Sequence, residues 1–308
     1  MAIKPPVRNK PPTAPSGKPP APSAKQQVVT PAKKFSVSTW EGDTEGEKII
    51  VYADSGMGKT TLASMAPKPV FIALDDGSRK ICNPLTGERL QRIPGVETYD
   101  DIRAATQQFH LFDGFETLVI DTGTIMQDLA LTWMLANVKA GDHGKQYDAT
   151  CVESYGWGKG YRHLYDTMKL ILADLDALVH HGKNVIILCQ MAQDVIANAS
   201  GADFMCDVPK LQGQHGKVTP AVWSAYDEWA DHVLKIGYSN IASQDGKAAS
   251  SNERVIFVHG QVHFKAKSRT IPYQYPVVSF SHPGDDSIWQ FLFNEAWKGL
   301  ENANNQNS

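Results

Sequence analysis

The sequence predicts an α/β protein: a mostly parallel sheet flanked by helices, with antiparallel strands added at its C-terminal end. Three observations carry this. Short, continuously apolar runs (Lys48–Tyr52, Val70–Leu74, Leu118–Ile120, Val185–Leu188) alternate with segments of helical period. Strands that are apolar on both sides belong to sheets covered on both faces. A glycine-rich stretch, residues 53–60, joins the first of these strands to the first helix. After about residue 230 the helices drop out. Val233–Tyr238, Val255–Val258 and His263–Lys267 then follow one another as strands with short connections.

Taken in order, Lys59–Ala66 reads as a helix stopped by Pro67. Thr98 can cap a helix whose apolar face is Ile102, Ala105 and Phe109. Thr124–Val138 is a third helix. A longer one spans about 160–181, where Leu164, Met168, Ile171, Leu175 and Leu178 recur at spacings of four and three. Gly182 stands where the residue after such a helix takes a left-handed conformation. Asp286–Leu300 closes the chain as an amphipathic helix.

The 308 residues, 42% of them hydrophobic, suffice for one large domain or two small ones and exclude a wholly disordered chain. No apolar run approaches the roughly 20 residues that cross a bilayer, and the N-terminus lacks the apolar stretch of a secretory signal. Cys82, Cys151, Cys189 and Cys206 match no metal-ligand spacing, so a reducing cytoplasm is expected. Residues 1–34 hold nine of the eighteen prolines and seven basic residues without one acid. This basic, proline-rich tail cannot form a core and is expected to be extended and disordered. The rest has 23 basic and 33 acidic residues, net −10. A basic arm on an acidic body suits contact with a polyanion, or solubility alone. The expected organisation is a tail at 1–34, a folded unit at 35–300 and a frayed end at 301–308.

The strongest motif is Ala53-Asp54-Ser55-Gly56-Met57-Gly58-Lys59-Thr60, followed by Thr61, between a strand and a helix. It follows the P-loop pattern G-x-x-x-x-G-K-[ST], with Ala53 at the first glycine. Backbone N–H groups of such a loop wrap the phosphates of ATP. Lys59 is expected to reach the β- and γ-phosphates, and the Thr60 hydroxyl to hold Mg2+. The apolar strand ending in Asp121 is a Walker B arrangement, which adds a second candidate ligand for Mg2+. Asp75 and Asp76 end the second strand, where open parallel sheets place ligands. One of them is expected to orient the attacking water; which one stays open.

At these residues the chain resembles RecA-like P-loop ATPases. It is similar, more closely, to phage nucleotide-binding proteins that include RecA-like single-strand annealing recombinases, over about residues 48–282. The resemblance implies a catalytic acid at Asp75-Asp76 in place of a glutamate. It implies a γ-phosphate sensor at Gln190 and DNA-binding loops at about 138–160 and 192–222, both long and irregular. Lys139, Lys145, Trp157 and Lys159 in the first loop, and Lys210 and Lys217 in the second, are the residues expected on DNA: cations follow the backbone while rings stack on bases. Tyr155 and Trp157 could equally pack inward. Lys265 and Lys267 match a Lys-x-Lys that reaches a neighbouring subunit's ATP, which implies a ring or filament.

The leading functional expectation is an ATP-dependent recombination or repair protein that binds single-stranded DNA and promotes annealing or pairing. A single-stranded DNA-binding protein is a further expected partner, no membrane is, and the location is the cytoplasm, that of a bacterial host if phage-encoded. A helicase or packaging motor, and a nucleotide-gated scaffold without hydrolysis, remain as alternatives. A small-molecule kinase would need a basic lid, which the sequence does not display.

Overall fold

The computed structural model describes residues 36–37, 45–142, 145–198, 201–213, 221–242 and 248–300. The chain divides into two units, Met1–Trp40 and Glu41–Ser308. Of the first, only residues 36–37 are described, both exposed and without regular structure. The expectations for the tail at 1–34 and the end at 301–308 lie outside the described residues.

The second unit begins with β1 (Lys48–Ala53), α1 (Lys59–Ser64), β2 (Pro69–Ala73), β3 (Gln91–Arg92), α2 (Tyr99–Thr106), β4 (Thr117–Asp121) and α3 (Gly123–Asn137). A small hairpin, β5 (Ala140–Asp142) and β6 (Lys145–Tyr147), precedes the 22-residue α4 (Lys159–His180). Then come β7 (Asn184–Ile196), β8 (Phe204–Pro209), α5 (Val222–Trp229), β9 (His232–Ala242), β10 (Ala248–Phe257), β11 (Lys267–Ser268), β12 (Val277–Ser279) and α6 (Ser287–Phe293). The sheet runs β12-β10-β9-β1-β7-β4-β2-β3, with β11 paired to β9 and β8 to β7. The pairs from β9 through β1, β7, β4 and β2 to β3 are all parallel; β10, β11 and β12 add antiparallel strands.

Alternation of period two divides the central strands between two cores. Ile50, Tyr52, Ile72, Leu118, Ile120, Val185 and Ile187 face one core, with buried residues of α2, α3, α4 and α5. Ile49, Val51, Phe71, Val119, Ile186 and Leu188 face the other, with α1, β12 and α6. Both faces are thus covered, which is why the strands read as unbroken apolar runs. Thr98 caps α2 as expected. Its Oγ1 accepts from Asp101 N at 3.1 Å, and the Asp101 carboxylate accepts from Thr98 N at 2.9 Å. α4 is followed by Gly182 at φ 75°.

Several expectations need correction. α2 ends at Thr106, so Phe109 lies beyond its apolar face and stacks on His181, ring centroids 4.2 Å apart. In the segment 192–222 the described residues hold two paired strands instead of an irregular loop. β7 runs on to Ile196 and pairs antiparallel with β8, because its outer half alternates instead of being apolar throughout and one neighbour suffices. The segment 138–160 likewise holds the β5–β6 hairpin and a tight turn at Val152–Tyr155. His263–Lys267 is not a continuous strand: Phe264 makes isolated bridges to Asp207 and Gln261, and Lys267–Ser268 pairs with β9. The closing helix stops at Phe293, because Glu295 turns the chain with φ 47° before a last helical turn at 297–300.

α6 is anchored by Trp289, which is 3% exposed and donates from Nε1 to Leu62 O at 2.8 Å, satisfying a terminal carbonyl of α1. Trp289→Ala is expected to cost about 3–5 kcal/mol of stability, read as a lower urea midpoint. A loss under about 1 kcal/mol would show that α6 does not brace the phosphate loop's helix.

Candidate functional site

The loop after β1 owes its shape to two glycines. Gly56 and Gly58 have φ of 80° and 94°, a region that L side chains avoid. A Cβ on Gly58 would also meet Arg254 Nη1 at 2.8 Å and the Phe280 ring at 3.1 Å. Ala53, at the place of the first motif glycine, is the last residue of β1 and fully buried, and its φ is not positive. Alanine there carries no backbone strain.

Lys59 opens α1 and is 7% exposed. Its ammonium donates to Ala53 O at 3.0 Å, Asp54 O at 2.9 Å and Gln190 Oε1 at 3.0 Å. Burial lowers its pKa, opposed by the charges of Asp121, Cys189, Asp54 and Asp75. Thr60 Oγ1 donates to Asp121 Oδ2 at 2.8 Å. Asp121 ends β4, is 3% exposed, and is pushed up to about 6 by burial; Asp75 adds to the shift, while Thr60 and Lys59 oppose it. A hydroxyl and a carboxylate in contact are hard oxygen donors and fit Mg2+. When bound, that ion would offset phosphate charge beside Lys59.

Sheet order completes the cleft. β7 lies between β1 and β4, with Gln190 opposite Ala53 and Leu188 opposite Asp121. Gln190 therefore stands between the loop and the Walker B strand. A cleft of about 310 Å3 brings together Lys59, Thr60, Asp75, Asp121 and Gln190. Asp75 is half-buried there, with Oδ1 accepting from Gly77 N at 2.8 Å. Asp76 is exposed and does not line this cleft. Ser55, Gly56, Gly58 and Thr61 line it too, while Met57 is buried behind the loop.

One participant was not legible in the sequence. Arg254 of β10 donates to Met57 O at 3.1 Å and lies 4.7 Å over the Phe280 ring, bracing the loop from behind. It is 197 residues from Met57, and no local pattern announces such a contact.

The residues expected on DNA scatter more widely. Trp157 is fully exposed with φ 49°, and Lys159 and Lys210 are exposed. Tyr155 packs inward, its hydroxyl donating to Val138 O at 2.7 Å, and Trp223 is buried and donates to Asp194 at 2.8 Å. Lys139 is ion-paired with Asp148. Lys145 lies in β6, but its side chain, like the whole of Lys217, falls outside the described residues. Lys265 and Lys267 do not line their own chain's cleft. Lys265 lies 5.7 Å over the Trp223 ring and Lys267 bonds Asp227 O, both on α5.

Fold and site together define a P-loop nucleotide-binding domain in which β7 lies between the Walker A and Walker B strands. Residues 45–270 match the AAA domain family, and the chain belongs to that family. Among solved structures it is similar to a KaiC-like protein from the hyperthermophilic archaeon Pyrococcus horikoshii OT3. Identity is 12%, coverage 77% of this chain and 90% of that one, and the TM-score 0.37; so distant a likeness carries no argument about activity. No curated protein matches the chain. Among the described residues no helix is long and apolar enough to cross a membrane, and no cluster of His, Cys, Asp and Glu could hold a metal ion by itself.

Lys59→Ala is expected to weaken ATP binding at least tenfold, about 1.4 kcal/mol, in calorimetry on folded protein. Asp121 gives a pH signature. Its native pKa of about 6 lies above the ordinary aspartate value of 3.8, so the native state holds the extra proton between the two. Ligand-free stability should therefore rise as pH falls through that window, while Mg2+-dependent ATP affinity should fall. Asp121→Asn should flatten both trends in thermal melts and titrations; an unchanged pH profile would remove Asp121 from the site.

Proposed function

We propose that the chain hydrolyses ATP and acts in DNA recombination or repair, binding single-stranded DNA and promoting annealing or strand pairing. The observation that carries this reading is the position of Gln190. Its side chain contacts Lys59 in the phosphate cleft. Its backbone O accepts from Lys210 N at 2.7 Å, and its N donates to Thr124 Oγ1, which in turn donates to Lys210 O. A γ-phosphate competes with Gln190 for the Lys59 ammonium. Any shift of Gln190 then reaches Lys210, at the foot of the β7–β8 hairpin, through two hydrogen bonds. Exposed Trp157, Lys159 and Lys210 supply the ring and charges that a single strand needs. In this reading Asp75, which lines the cleft, orients water against a γ-phosphate.

Assembly into a ring or filament belongs to the same reading. Lys265 and Lys267 would have to leave α5 to reach a neighbour's phosphates. A phage origin, a host-cytoplasmic location and a single-stranded DNA-binding protein as partner rest on resemblance alone.

The ATPase rate with and without oligo-dT tests the reading. Stimulation of at least severalfold is expected; a rate indifferent to DNA, with nucleotide binding intact, supports the scaffold alternative instead. Trp157→Ala should weaken oligo-dT binding by about 1–3 kcal/mol in anisotropy titrations while leaving ATP affinity unchanged. Identical DNA affinity would remove Trp157 from the interface.

A further inference from the structure

Seven arginines fall within the described residues. Four have partners: Arg103 with Asp174, Arg162 with Asp166, Arg269 with Asp231, and Arg254 with Met57 O. The other three, Arg79, Arg89 and Arg92, make no ion pair or side-chain hydrogen bond among the described residues, and all three line one cavity of about 250 Å3.

Three separate backbone devices bring them there. Arg79 sits in the tight turn Gly77–Lys80 that follows Asp76. Arg89 stands opposite Cys82 in an antiparallel bridge. Arg92 belongs to β3, in parallel register with Phe71, whose ring lines the same cavity. Asp75 lines both this cavity and the phosphate cleft, so the two share a wall. Three guanidinium groups outnumber the two carboxylates present, Asp75 and Asp76, and Asp75 already accepts from Gly77 N. All three are exposed, and arginines that line one cavity without carboxylate partners can offer paired N–H donors to the oxygens of a phosphate.

We propose that Arg79, Arg89 and Arg92 form a second phosphate-binding subsite beside the P-loop, on the far side of Asp75. It takes a phosphate group either as orthophosphate or as a backbone phosphate of a polynucleotide. The subsite rests on the nucleotide reading only for what fills the neighbouring cleft, and that occupancy is measured separately below.

The test uses the full chain saturated with Mg2+ and a non-hydrolysable ATP analogue, so that the P-loop is filled. One arm titrates inorganic phosphate by calorimetry. The other titrates a 20-nucleotide oligo-dT by anisotropy at several salt concentrations. R79Q/R89Q/R92Q should lose at least tenfold in affinity in one or both arms, with analogue affinity unchanged within twofold. The charge-keeping R79K/R89K/R92K should fall between this variant and the wild type. Loss in the phosphate arm alone identifies orthophosphate as the occupant. Loss in the oligo-dT arm, with the salt slope shallower by about 2, identifies the polynucleotide, since each neutralised phosphate of a single strand contributes about 0.7. Where the triple variant fails to fold, Arg79→Gln, at an exposed position outside the sheet, is measured in its place. If the analogue does not bind the wild type, the nucleotide reading fails, and the same comparison on ligand-free protein still decides the subsite. Wild-type affinity of the glutamine variant in both arms, or a wild type that binds neither probe, overturns the proposal.

Discussion

A buried ammonium without a carboxylate partner organises this molecule. Removing a lysine head from water costs several kcal/mol unless other groups replace its hydration. Here Ala53 O, Asp54 O and Gln190 Oε1 do so, all within 3.0 Å of Lys59 Nζ. Two of these acceptors belong to the loop that Lys59 closes, and the third comes from the neighbouring strand. The loop is thereby fixed in a shape that leaves the Lys59 ammonium without a carboxylate in direct contact. A direct pair with Asp121 would hold the lysine more firmly but would use up the charge that a phosphate needs. Instead Asp121 faces the Thr60 hydroxyl.

That arrangement depends on the order of the strands. Were β1 and β4 adjacent, Asp121 would come beside Ala53 and no amide would stand between them. Insertion of β7 puts Gln190 in the gap. Because the strands of this part of the sheet are parallel, their carboxyl ends all open to one side, and the loop, Asp75, Asp121 and Gln190 meet there without long excursions. The strands themselves are secured by two cores of independent composition. The polar end of the sheet therefore rests on an apolar middle that tolerates it.

The cleft has support behind it and neighbours beside it. Arg254 and Trp289 tie the loop and its helix to β10 and α6, elements added after the parallel strands. On the other side, Thr124 and Lys210 connect Gln190 of β7 to α3 and to the base of a two-stranded hairpin. Beyond Asp75 lie three arginines that have no partner among the described residues. The cleft is thus joined by hydrogen bonds to the base of the β7–β8 hairpin and shares Asp75 with an arginine-lined cavity.

Much of this was legible in the chain itself. Apolar runs gave the parallel strands, Thr98 the start of α2, and Gly56, Gly58, Lys59 and Thr60 the phosphate loop, since each rests on neighbours a few residues apart. Asp121 could be picked out as a strand end and Gln190 as the residue after an apolar run, but which strand lies beside which is not written in local pattern. Tertiary packing decided that Asp75, not Asp76, enters the cleft, that Tyr155 turns inward while Trp157 stays in water, and that β7 continues into a hairpin. It alone brought Arg254 to Met57 and gathered Arg79, Arg89 and Arg92. Propensity and period are properties of short stretches, whereas these contacts follow from how distant elements fill space against one another.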